Sequence, residues 1–126
     1  ICYCFAGVQG YSKFGKYTGN GVADGPFVYT GFKPAWLMIQ RISGGTGWWS
    51  INDDKRNSYN LEGQLLAANE NDAQYGSNPV DMLSNGFKIR VANANSDQNE
   101  NNSEYIYMAF AQNPLVATNA VPTTAR

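Results

Sequence analysis

Ser84-Asn85-Gly86-Phe87-Lys88-Ile89-Arg90-Val91 sets three turn-forming residues ahead of a strict alternation, with Phe87, Ile89 and Val91 on one side and Lys88 and Arg90 on the other. Alternation at period two marks a strand with one buried face. Asn-Gly tolerates the positive φ of a tight hairpin turn, so this stretch and Val80 to Leu83 before it predict a hairpin. Working outward, Glu104 to Ala111 places Ile106, Met108 and Phe110 on one side and Tyr105, Tyr107 and Ala109 on the other. Trp36-Leu37-Met38-Ile39, after Pro34 and before Gln40-Arg41, is equally continuous in its apolarity. Both are predicted to be central strands covered on both faces. Ile1 to Val8, Phe14 to Thr18, Phe27 to Tyr29 and Trp48 to Asn52 add further strands, while Gln64 to Ala68 suits either a strand or one helical turn. About nine short strands, punctuated by Gly, Asn, Pro and Ser and without helices for parallel crossovers, predict an all-β fold. The expected architecture is an antiparallel β-sandwich of jelly-roll or lectin-like type, in which two sheets hide each other's apolar faces.

The 126 residues correspond to one domain, so 1–126 is taken as a single module. Charged residues make up 15%, against roughly 25% in an average soluble domain. Nine basic and ten acidic residues are interspersed to a net charge of -1, leaving no basic stripe for phosphates. Nucleic acid is therefore not an expected partner. No apolar run approaches the ~20 residues of a spanning helix, and the first residues lack a signal-peptide pattern, so membrane insertion is not expected. With no histidine in the chain, Ser-His-Asp and Cys-His relays and imidazole metal ligands are excluded. Cys2 and Cys4 fall on one face of an extended chain, a placement that disfavours a disulfide, and two thiols alone do not make a structural zinc site. They are expected to be packed thiols, with no metal and no cofactor.

Gly19-Asn20-Gly21-Val22-Ala23-Asp24-Gly25 has the look of a phosphate loop, but no Lys-Ser/Thr follows and no helix opens after it. It is expected to be a turn between strands, as Gly44-Gly45-Thr46-Gly47 is expected to be a hairpin tip, both mobile and exposed. Asp53 and Asp54 form the one adjacent carboxylate pair. Neighbours on a strand point to opposite sides, and Lys55 and Arg56 follow, so local charge pairing or a turn is expected rather than glycosidase chemistry. No enzymatic activity is expected. Asn93 to Ser103 offers oxygen ligands that suit calcium without the spacing of an EF-hand, and a solvated loop tip is expected there. Asn101-Asn102-Ser103 matches a glycosylation sequon.

Aromatic residues reach 13%. Trp48 and Trp49 are adjacent, so on a strand one ring faces inward and the other outward. An outward Trp beside Asn52, Asp53, Arg56, Asn57 and Tyr59 forms a candidate glycan-binding platform, flat and apolar with polar groups for hydroxyls. The competing reading covers these rings with the second sheet or with a neighbouring subunit, since interfaces also favour Trp, Tyr and Arg.

Five ordered segments carry a family resemblance: Tyr11-Ser12-Lys13-Phe14-Gly15; Tyr17-Thr18-Gly19-Asn20-Gly21; Asp24-Gly25-Pro26-Phe27-Val28-Tyr29-Thr30-Gly31-Phe32-Lys33-Pro34-Ala35; Leu83-Ser84-Asn85-Gly86-Phe87-Lys88; and Tyr105-Ile106-Tyr107-Met108-Ala109-Phe110-Ala111. From about Cys4 to Pro114 the chain resembles an uncharacterised β-rich domain of marine bacteriophage virion and tail-fibre-like structural proteins. That resemblance implies a virion location and a role in a tail fibre, spike or head appendage, including capsid decoration. It implies as partners further copies of the chain, as a homo-oligomer such as a trimer, together with other virion proteins. It supplies no catalytic or binding residue. The alternative function is a carbohydrate or host-receptor module that contacts a host surface glycan. Ile1 opens directly into an apolar stretch without a start methionine, so the module is expected to be a piece of a longer polypeptide.

Overall fold

The computed structural model describes residues 1–57, 59–60, 62–92 and 97–113. Eight strands run in chain order: β1 (Ser12–Thr18), β2 (Phe27–Tyr29), β3 (Pro34–Arg41), β4 (Trp49–Asp53), β5 (Glu62–Ala67), β6 (Tyr75–Leu83), β7 (Gly86–Ile89) and β8 (Glu104–Ala111). They follow the order β1-β8-β3-β4-β5-β6-β7-β2, and every pairing is antiparallel. Residues 64–67 of the Gln64 to Ala68 stretch therefore lie in a strand rather than a helical turn, and Ala68 begins the turn after it. β5 joins two halves of the sheet, pairing with β4 through Ala67 and Leu66 and with β6 through Gln64 and Leu65, with an irregular register between Glu62 and Gln64. No helix among the described residues is long and apolar enough to cross a membrane.

The two halves face each other across one core. Inward residues alternate along each strand: Leu37 and Ile39 on β3, Tyr105, Tyr107 and Ala109 on β8, Val80 and Met82 on β6, Phe87 and Ile89 on β7. Phe87 stands at the centre, edge-on to Tyr17 at 6.1 Å and to Tyr107 at 5.2 Å, while Tyr17 stacks on Tyr105 at 5.1 Å. Rings that meet edge to face gain from quadrupole attraction as well as from burial. The outermost strands, β1 and β2, approach each other at the open side, where the Lys13 ammonium lies 5.3 Å from the centre of the Tyr29 ring. Gly86 at the β7 edge is required by a close approach, because a Cβ there would collide with the carbonyl of Val28.

Three expectations need correction. Residues 1–7 form no strand; Val8 makes an isolated bridge to Ser12, which turns the chain back into β1. Cys2 and Cys4 are consequently exposed free thiols rather than packed ones, with sulfurs 3.8 Å apart. β3 and β8 are central in the sheet, but they are fully buried on one face alone. Trp36, Met38, Met108 and Phe110 on the other face are half-buried and Ile106 is exposed.

Phe87→Ala should cost about 3–5 kcal/mol in urea unfolding, because it opens a cavity between the two halves. Ile106→Ala, which truncates an exposed side chain, should cost less than about 1 kcal/mol.

Candidate functional site

The β3–β4 pairing sets Trp49 opposite Gln40 and Asp53 opposite Trp36, so Trp49 and Asp53 share the outer face of the sheet. Ser50 and Asn52 alternate with them and are buried. Trp49 is thus the outward ring of the pair. Trp48 precedes the strand and stacks on Tyr75 of β6 at 4.4 Å, which ties β4 to the other half of the sheet. The Asp53 carboxylate is committed to a turn: it accepts the Lys55 and Arg56 N–H groups at 3.0 and 3.1 Å and pairs with Arg56 Nε at 2.6 Å. Arg56 also donates to Gln74 at 3.2 Å. The Asn57 amide lies between the Arg56 carbonyl and the Gly63 N–H, 3.2 Å from each. Tyr59 is 85% exposed and lines a separate polar cavity with Asp54.

These contacts do not assemble Trp48, Trp49, Asp53, Arg56, Asn57 and Tyr59 into one platform. Trp49 sits at the far end of β4 from the Asp53–Arg56 turn, Trp48 is stacked, and Tyr59 belongs elsewhere. The reason is the four-residue length of β4 between Trp49 and Asp53, about 13 Å at the rise of a strand. Local charge pairing of Asp53 with Arg56 is as the sequence predicts.

The outer face itself is the broader feature. Phe14, Trp36, Met38, Trp49, Ile106 and Met108 floor a groove of about 1110 Å³, walled by Ile1, Tyr3 and Phe5 of the N-terminal segment. Aromatic rings knit it together: Phe5 stacks on Phe14 at 5.7 Å, and Phe110 meets Trp36 at 5.6 Å, Tyr11 at 5.9 Å and Phe14 at 6.1 Å. Lys16 is the one charged residue lining the groove, and it is paired with Glu104 at 2.9 Å.

Sequence reasoning misjudged the loops. Of the Asn93 to Ser103 loop, residues 93–96 lie outside the described residues. Gln98 and Asn99 are fully buried, not part of a solvated tip. The Asn99 amide donates to the carbonyls of Val91 (2.8 Å) and Val22 (2.9 Å) and to Asn20 Oδ1 (3.2 Å), and its oxygen accepts Asn20 N–H at 3.0 Å. Gln98 donates to Asn52 at 2.9 Å, and its carbonyl accepts the buried Tyr17 hydroxyl at 2.7 Å. Gly19 and Gly25, expected to be exposed, are buried against this loop, and a Cβ at Gly25 would stand 2.5 Å from the Ile89 carbonyl. The hairpin tip at Gly44 and Gly45, both at positive φ, is exposed as expected but anchored. Arg41 donates to the Ser43 and Gly44 carbonyls at 2.8 and 2.6 Å and to Ser103 at 3.1 Å, and it pairs with Glu100.

Burial governs the titration of this end. It pushes the Tyr17 phenol well up, and that of Tyr105 to about 12. Burial also raises the Asp97 carboxyl, against the opposing pull of the Trp48 N–H and Arg41. Among the described residues no cluster of three or more Cys, Asp or Glu is placed to hold a metal ion.

Residues 1–114 match a family described as a domain of unknown function, DUF7483, and the chain belongs to that family. No curated protein and no solved structure matches the chain.

Asn99→Ala strips several buried hydrogen bonds at once and should cost about 3 kcal/mol in chemical unfolding. Asp97 holds its proton in the native state at pH values where the unfolded chain, at its ordinary 3.8, has lost it. The contribution of Asp97 to native stability therefore falls as pH rises from near 3.8 through the elevated native value, opposite in sign to that of Asp24, whose carboxyl is held low by Lys88. In a series of urea midpoints against pH, Asp97→Asn should gain on the native chain as pH rises through that range, the difference between the two reporting Asp97.

Proposed function

We propose that this domain is a structural module of a phage virion, carried on a tail fibre, spike or head appendage, and that it acts by assembly and display rather than by catalysis. The observation that carries the reading is the apolar outer face of β1, β8, β3 and β4. Its occupant in this reading is a second copy of the chain. A charge-poor surface built of Trp, Phe, Met and Ile loses little on desolvation and gains on burial, as in obligate homo-oligomer interfaces. We read the folded-over sheet as a sandwich of lectin-like type, with the inner faces forming the core and one outer face left for the neighbour. The five motifs shared with β-rich domains of marine phage fibre-like proteins support the virion setting. A capsid-decorating role would use the same face. Recognition of a host surface glycan is a second reading, favoured by the polar cavity at the end of the sheet opposite Asn99.

Ile106→Lys sets a second ammonium opposite Lys16 on this face while changing an exposed side chain. Analytical ultracentrifugation should show the native chain as an oligomer at tens of micromolar, and the variant as a folded single chain. A native chain that sediments as a monomer at that concentration overturns assembly through this face.

A further inference from the structure

The end of the sheet opposite the Asn99 loop holds a polar cavity of about 370 Å³, lined by Lys33, Asp54, Lys55, Tyr59, Asn60, Met82 and Gln112. This volume lies in the range of small-molecule sites, roughly 300–1,000 Å³. Its walls are fixed by the fold. The Gln112 N–H donates to the Lys33 carbonyl at 2.8 Å, and the Asp54 N–H to the Ala35 carbonyl at 2.9 Å. The Asn60 amide clasps the backbone of Met82, accepting its N–H at 3.0 Å and donating to its carbonyl at 3.2 Å. The chemistry is concentrated on three groups. The Asp54 side chain is 9% exposed, and its oxygens receive Gln112 Nε2 at 2.8 Å and the Lys55 ammonium at 3.5 Å. An ionised carboxylate offers about four acceptor positions, so these two contacts leave room for two more donors. Lys33 is exposed and forms no ion pair among the described residues, so Lys33 and Lys55 against Asp54 leave one positive charge in excess. Tyr59 presents its ring almost wholly to solvent at the rim.

We propose that this cavity binds an acidic pyranose, a uronic-acid residue of a host surface polysaccharide. Two neighbouring ring hydroxyls donate to Asp54, the sugar carboxylate rests on Lys33, and the apolar face of the ring stacks on Tyr59. A neutral sugar satisfies two of these contacts and leaves the Lys33 charge unmatched. A simple anion satisfies Lys33 alone and presents no hydroxyls to Asp54. The site rests on the host-contact reading above and shares no residue with the assembly face.

Calorimetric titration of the purified chain with methyl glucuronide, methyl glucoside and inorganic phosphate tests this, with oligomeric mass measured on the same sample. The expected result is saturable glucuronide binding about tenfold tighter than glucoside, from the added charge-assisted bond. Lys33→Gln should bring the two sugars to similar affinity, and Tyr59→Ala should weaken both. Both variants alter exposed side chains, and an unchanged melting temperature verifies their folding. Absence of saturable glucuronide binding, binding that neither variant alters, or phosphate bound as tightly as glucuronide each overturns the proposal. Glucuronide binding by a monomer keeps this site and removes the assembly reading; an oligomer indifferent to glucuronide does the reverse.

Discussion

A sheet folded over on itself encloses its core on two sides and leaves the ends to be sealed. At one end the seal is the side-chain amide of Asn99. It is fully buried and holds the backbones at Val22 and Val91 together with Asn20. Buried polar groups are tolerated when each is bonded, and a network of them then fixes one geometry among many compact ones. Because Asn99 draws on the segment after β1 and the segment after β7, the core strands on both halves take their spacing from it. The Tyr17 hydroxyl bonded to the Gln98 carbonyl and the Tyr105 hydroxyl receiving the Glu100 N–H extend the same seal into the aromatic core.

The strands were legible where apolarity alternates or runs continuously: Phe87 to Ile89, Trp36 to Ile39 and Tyr105 to Ala111 all lie in strands. Patterning could not reveal whether a strand that is apolar on both faces is covered by its own chain, and Trp36, Met38 and Met108 show the consequence. Ile1 to Val8 is apolar enough for a strand but makes only the isolated Val8–Ser12 bridge, and Phe5 stacks on Phe14 of the outer face instead. The amide seal was illegible for a different reason. Asn and Gln suit solvated turns and buried networks equally, and position in space alone decides which. The expected platform residues are spread out instead, since Trp49 and Asp53 share a face but stand at opposite ends of β4, and Trp48 is stacked on Tyr75.

Apolar and polar surfaces are segregated by this arrangement. The groove on the sheet face is lined by aromatic and aliphatic groups with one neutralised lysine, while the end beyond Pro34 and Asp53 collects Lys33, Asp54 and Lys55 around a cavity. Contacts made on the face leave that end uncovered. The inner residues of β3 and β8 serve the core while their outer residues build the face, so one pair of strands links interior packing to the surface. Asp54, one residue beyond β4, ties that pair to the polar end through its N–H bond to Ala35.

Strand order has a further effect on behaviour at high concentration. β1 and β2 are the terminal strands, and terminal strands expose unpaired N–H and C=O groups on which another chain can add a strand. β2 is three residues long, too short to template much of a ladder, and β1 carries Lys13 and Lys16 along its seven residues. Lys13 is drawn across to the Tyr29 ring, so the ammonium guards the gap between the two edges. Growth by edge-to-edge addition into amyloid-like ribbons is thereby opposed.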